Sequence, residues 1–290
     1  MAEPSTESIF SERPPETLYH YTTQSGLLGI LESESIWLTH TQYLNDSKEF
    51  VHALSIAQTE IEENLARASG KEAAVWDEMH RAIKEMSPMN VCVCSFSENK
   101  DSLSQWRAYG GESSGFAIGI SRDLLLHTVD ERSFYMARCI YDPDLQRKFI
   151  RRIVAGIFSE NIEKVRTAGA LLADEDALDD WLPEGGNLVA RLQRYAPVLK
   201  DQAFEEEREW RIISRPMMAK RLSFREGKST IVPYCNLPIG GEKKPFAINE
   251  VVIGPTVAQG RAVRAVSSLL VHRKHKDVSV TLSKVPYRTW

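Results

Sequence analysis

The chain has no run of the roughly 18 consecutive apolar residues that a membrane-spanning helix requires. Its first residues show no basic segment leading into an apolar one, so no secretory signal is visible and a cytoplasmic location is expected. There is no excess of positive charge: 36 Lys and Arg face 40 Asp and Glu, for a net charge of −4 and a pI near 6.0. That excludes a global basic field for nucleic acid. The local basic cluster at Arg261, Arg264, His272, Arg273, Lys274, His275 and Lys276 reads as a solvated helix end. Cysteine is scarce. Cys92, Cys94, Cys139 and Cys235 are the whole set, and a C-x-C pair on a strand lacks the spacing of metal ligands. They read as small buried hydrophobes in a reducing compartment. The seven histidines form no ligand cluster, so no metal site is expected. Cys94 as a nucleophile would need a histidine delivered by the fold. The GxxxxGK[ST] loop, the GxGxxG turn, the HExxH helix and the GxSxG elbow are all missing.

What is present is bulk for a core: 42% hydrophobic residues, with six tryptophans, ten phenylalanines and nine tyrosines in 290 positions. Residues 1–16 are polar and proline-bearing and read as a loose, flexible N-terminal arm. Residues 17–290 read as a single α+β domain. Short strands are expected at 18–22, 36–39, 91–96, 115–120, 134–141, 229–235, 248–253 and 278–282. Between them helices are expected from about Gln24 to Ser33, after a Thr22 or Thr23 cap, and from the Asp46–Glu49 capping box onward. Further helices fit 67–88, 102–109, 145–157 and 257–272, and one bent at Pro197 running to about Phe204. Pro183-Glu184-Gly185-Gly186 closes the clearest loop. No βαβ rhythm repeats, so a split mixed or antiparallel sheet with helical insertions fits better than a doubly wound one.

The densest chemistry lies in Phe204–Ile213, FEEEREWRII. As a strand from Arg208, a period of two places Arg208, Trp210 and Ile212 on one face and Glu209, Arg211 and Ile213 on the other. Carboxylates beside a buried tryptophan cost several kcal/mol, on the order of the penalty for an unpaired ion, unless they are paired or working. Two readings stay open: a structural Arg–Glu ladder at a sheet edge, or Glu207 and Glu209 lining a cleft with Arg211 fixing their charge. Aromatic and polar residues also recur at strand ends: His20 and Tyr21, Trp37, Tyr43 and Asn45, Phe96, Trp106 and Tyr109. Enzymes build sites from such positions on a rigid sheet.

The segments LYHYT, IWLT, YLNDSKE, CSFSE, SQWRAYGGESSGFAIGI, EEEREWRII and VVIGP, in that order over residues 17–255, resemble the bacterial family catalogued as domain of unknown function number 2971. That family is in turn similar to the ADP-ribosyltransferase fold, a split α+β sheet gripping NAD in a cleft. The resemblance implies an NAD-dependent ADP-ribosyltransferase or NAD-cleaving enzyme, of the kind found among toxins and phage-defence effectors. It implies Glu209 and Glu207 as catalytic residues. The implied NAD-binding set is His20, Tyr21, Thr22, Tyr43, Asn45, Trp106, Tyr109 and Arg211, with either Tyr43 or Tyr109 stacking on nicotinamide. NAD would be substrate, and the acceptor a protein, a nucleic acid or water. The chain mixes the histidine-bearing and Arg–Ser–Glu patterns of those transferases. The alternative is an enzyme or non-catalytic module holding another nucleotide or phosphate-bearing ligand in the same cleft.

Overall fold

The computed structural model describes residues 8–44, 48–85, 90–110, 115–168, 188–227, 229–275 and 277–286. Its sheet is organised by β3 (Cys92–Ser97), whose near-continuous apolar run sends Cys94 and Phe96 into one core and Val93 into another. A strand buried on both faces has no polar side to alternate with. One edge of β3 is taken along its length by β6 (Glu209–Ile213), from Val93 opposite Ile213 to Ser97 opposite Glu209. The other edge is shared. β1 (Thr17–Thr22) touches it only where Tyr19 meets Ser97, and β2 (Ser35–His40) only at Val93 and Cys92. Between those points β1 and β2 diverge, and the sheet splits beside Ser95.

From β1 the sheet continues antiparallel through β4 (Phe116–Ser121) to β9 (Glu250–Ile253), and then to a parallel partner, β10 (Ser279–Leu282). From β2 it continues through β8 (Ile231–Pro238) to β7 (Ser223–Glu226). β5 (Tyr135–Arg138) flanks β6. The sheet is therefore mixed and open. β6 lies inside it, so of the two readings of FEEEREWRII the one that puts a ladder at a sheet edge is corrected: Glu209–Ile213 is an interior strand between β3 and β5.

Each face carries its own helices. α1 (Gln24–Ser33), α5 (Arg122–Glu131) and α8 (Gln259–His272) bury Leu27, Leu124, Leu125 and Leu270 against Leu38, Ile118, Trp210 and Ile212. α2 (Lys48–Leu65), α3 (Gly70–Lys84), α6 (Pro143–Ala168) and α7 (Leu188–Tyr195) bury Ile61, Met79, Ile150 and Leu192 against Val93, Ala137 and Ile213. Each such side chain contributes about 1.5–3 kcal/mol of burial. Local signals set the helix ends. Thr23 Oγ1 accepts the Gly26 N–H at 3.2 Å to start α1, and Glu34 in the left-handed region stops it. Asp142 Oδ1 takes the N–H groups of Asp144 and Leu145 at the start of α6, as a cap should. A small third cluster joins Tyr21, Ala117 and Val252 to Trp106 of α4 (Leu103–Tyr109).

Several sequence expectations are corrected. Residues 8–16 are docked rather than loose: Ile9 is buried, Phe10 lies 5.4 Å from the Tyr195 ring, and Arg122 binds the Pro14 and Glu16 carbonyls. Two apolar residues at Ile9 and Phe10 outweigh the polar composition around them. The helix expected to reach Phe204 ends at Tyr195, because Pro197 forces a single 3-10 turn and an extended Leu199. Arg208 is not in β6. It is a left-handed residue (φ 43°) closing the 3-10 turn Gln202–Glu207, and the alternation beyond it stands as expected. α5 and β7 were not anticipated. Asn45, Asp46 and the 183–186 loop lie outside the described residues.

Candidate functional site

The split in the sheet opens into a cleft of about 1410 Å³. This is more than the 300–1,000 Å³ typical of small-ligand pockets. Its base is built by the end of the 3-10 turn and the start of β6, which bring Glu207 and Glu209 to the cleft from two residues apart. Both are nearly inaccessible, at 7% and 3% exposed. Neither charge is orphaned, because Lys200 donates to Glu207 Oε2 and to Glu209 Oε2. Arg211 donates from Nε to Glu209 Oε1 at 2.7 Å and from a terminal nitrogen to Oε2 at 3.3 Å. Its other terminal nitrogen donates to the Pro197 carbonyl at 2.8 Å. Two cations meet two carboxylates, which is what makes burial of all four tolerable.

The two acids are pushed apart. Burial alone would raise Glu209, but Arg211 and Lys200 outweigh it and hold its carboxyl at about 2. Burial also raises Glu207, and there Lys200 does not fully offset it. Burial works against the ammonium of Lys200, yet Glu209 and Glu207 keep it raised and charged. Glu207 Oε1 has no partner among the described residues, whereas both Glu209 oxygens are engaged. One acid is thus a fixed anion, and the other has a raised pKa and a free oxygen. Environments that separate a pair of titratable groups in this way mark acid and base roles.

Across the split, His20 donates or accepts at Nδ1 with the Ser95 carbonyl at 3.0 Å. A carbonyl is an acceptor only, so Nδ1 carries the proton. Burial lowers the ring's pKa, the Ser95 bond offsetting only part of that, and keeps it neutral, leaving Nε2 as an acceptor. Cys94 Sγ is 3.6 Å from the same Nδ1, so the fold does deliver a histidine to Cys94. Yet burial, reinforced by the charge of Glu209, pushes the thiol well above its usual range. A protonated thiol facing a proton-bearing nitrogen is no activated nucleophile.

The cleft brings together His20, Tyr21, Thr22, Tyr43, Tyr109, Glu207 and Glu209. Tyr109 lies closest in electrostatic terms to the acids: burial and then Glu209 and Glu207 push its hydroxyl up to about 12. Tyr43 is 42% exposed and meets His40 edge-on. Tyr21 is committed on one side, its hydroxyl donating to the Asn99 carbonyl and accepting from the Ser102 N–H. Two expected ligand contacts are corrected. Trp106 does not line the cleft: it is buried under Tyr21 with Nε1 donating to Asp101 Oδ1 at 2.7 Å, anchoring the loop before α4. Arg211 is 2% exposed and sits behind Glu209, so it fixes that carboxylate and does not reach a phosphate. Asn45 lies outside the described residues. Lys200 was missed, although a lysine between Val198-Leu199 and the acidic run is a second cation, beside Arg211, that could answer it.

Among the described residues, no group of three His, Cys, Asp or Glu side chains is placed to hold a metal, and no helix is long and apolar enough to cross a membrane. No curated protein and no solved structure matches the chain. The stretch from the middle of α4 into β6, residues 105–212, which contains Tyr109, Lys200, Glu207, Glu209 and Arg211, matches a family model described as Protein of unknown function (DUF2971).

Proposed function

We propose that the cleft binds NAD and that the protein cleaves its nicotinamide–ribose bond, acting as an ADP-ribosyltransferase or NAD hydrolase. The observation that carries this reading is the unequal pair at the base of a split sheet, Glu209 held ionised and Glu207 raised with a free oxygen. In the reaction the C1′–N bond breaks and its electron pair goes to the pyridine nitrogen, so neutral nicotinamide departs. The ribose develops oxocarbenium character, which a fixed carboxylate stabilises. A hydroxyl of water or of an acceptor then bonds to C1′, and its proton passes to Glu207. Microscopic positioning falls to the remaining residues: Nε2 of His20 accepts from a ribose hydroxyl, and the Tyr109 ring stacks on the departing base. The start of α1, with Thr22, Thr23 and Ser25 on the cleft, offers the Ser25 N–H to the diphosphate, the Gly26 N–H being taken by the Thr23 cap.

The test is calorimetric titration with NAD alongside an assay for released nicotinamide. A saturable heat with nicotinamide release supports the reading. Flat heats up to millimolar NAD, with no nicotinamide formed, favour another phosphate-bearing ligand in the same cleft.

A further inference from the structure

The opposite limb of the cleft carries chemistry that Glu207 and Glu209 do not use. Along β2, Ile36 and Leu38 enter the core, so Ser35, Trp37 and Thr39 point the other way; along β8, Cys235 and Leu237 enter the core and Tyr234 and Asn236 do not. That outer face of β2, β8 and β7 joins none of the three buried clusters and forms a wall of the cleft. Trp37 stands on it 48% exposed. An open indole within a concave wall presents a flat stacking face to whatever enters the cleft. Its ring meets that of Tyr234 at 4.7 Å between centroids, tilted by 39°, which fixes its orientation.

Arg225 of β7 lies beside it, with Cζ 5.6 Å from the Trp37 centroid and a terminal nitrogen donating to Thr39 Oγ1 at 3.1 Å. Its Nε is buried without a hydrogen-bond partner, and it forms no ion pair with any described residue. The guanidinium meets the indole and the Thr39 hydroxyl but no carboxylate among the described residues, so it can take an anion, and the open indole beside it can take a flat ring. A neutral sugar would leave the guanidinium uncompensated, and an aromatic peptide brings no anion. A nucleotide brings both.

We propose that the β2–β8–β7 wall is a nucleotide subsite, in which the base stacks on Trp37 and the phosphate pairs with Arg225. The subsite stands independently of NAD cleavage at Glu209, which belongs to another strand. Its test is calorimetric titration of AMP, adenosine and inorganic phosphate into the full chain and into Trp37→Leu, Trp37→Phe and Arg225→Gln. AMP is expected to bind saturably, to lose about tenfold or more in affinity in Trp37→Leu and in Arg225→Gln, and to recover in Trp37→Phe, which keeps a stacking face. Adenosine should bind the wild type more weakly than AMP does, and Arg225→Gln should not change it. Absence of AMP binding to the wild type, or equal affinities across the variants, would overturn the proposal, as would a neutral sugar saturating the wall where AMP does not. Addition of NAD assigns the source. Displacement of AMP identifies the adenylate half of a dinucleotide, and a ternary complex identifies a separate nucleotide substrate; either supports the subsite. Failure of NAD to bind, with AMP still bound at Trp37, would sink the cleavage reading alone.

Discussion

The Ser95 carbonyl accepts a hydrogen bond from His20 Nδ1 at 3.0 Å at the place where β1 and β2 part from β3. An edge acceptor that no strand reaches is satisfied by a side chain instead. The same bond leaves a neutral imidazole facing the cleft.

Folding favours the neutral form of His20, because burial lowers its pKa beneath the usual 6.5. Its stabilising contribution is therefore complete above pH 6.5 and is lost as pH falls through the lowered value. Urea midpoints should decline on acidification from about pH 6.5 down to that lowered value and level off beneath it. His40 and His275, lowered mainly by burial as well, add to the slope, so His20→Asn should flatten part of it. An unchanged slope in His20→Asn would refute the assignment.

Glu209→Gln keeps the shape of the side chain and deletes its charge. Nicotinamide release should fall by about 10²–10³-fold, roughly 2.7–4 kcal/mol, with NAD affinity changed far less. Lys200 and Arg211 would also lose their shared anion, and stability should drop by about 3–5 kcal/mol. Turnover and the unfolding midpoint must be read on one preparation: wild-type turnover in a folded variant would remove Glu209 from the catalytic role.

Lys200→Met leaves Glu207 without its cation and Glu209 with Arg211 alone. A loss of about 3–5 kcal/mol is expected at pH 7. Glu209, depressed to about 2 in the fold, contributes stability that is present above its unfolded value near 4.5 and is lost as pH falls toward 2. The shift corresponds to about 3 kcal/mol. In Lys200→Met this acid-dependent window should shrink, as measured by chemical denaturation between pH 2 and 5. A full-size window would show that Arg211 alone holds the carboxylate.

Tyr109 and Trp106, three residues apart on α4, should behave oppositely. Tyr109→Ala should weaken NAD binding by about tenfold or more, the loss of one stacking face, while the fold survives. Trp106→Phe removes the donor to Asp101, which also accepts from Ser283 and the Lys284 N–H. It should cost about 1–3 kcal/mol of stability and leave NAD affinity unchanged. Calorimetry with melting curves on both variants separates the two roles.

Much of this was readable from residue order. The runs around Cys92–Ser97 and Glu209–Ile213 place their strands, and the alternation Trp210, Ile212 against Glu209, Arg211 assigns faces correctly. Helices with strong caps, such as α1, were found with their ends. Local pattern was not enough where tertiary contacts decide. Trp106 and Tyr109 look alike in sequence, and only the position of Asp101 turns one inward. Phe10 gains its fixed place from Tyr135, Tyr195 and Arg194, which are more than 120 residues away in the chain. Lys200 reads as an ordinary cation until the bend after Pro197 folds it back onto the acids.

The opposed faces of β6 also act as a check on its parity. A slip of one residue against β3 would turn Glu209 and Arg211 toward Phe96 and Ile118, and would press Trp210 into the ammonium and carboxylates around Lys200. Both sides of the sheet would object at once, one by desolvating charge and the other by displacing it. A strand policed from two directions tolerates substitution at single positions better than insertion or deletion of one residue, so length, more than identity, is what this segment holds constant.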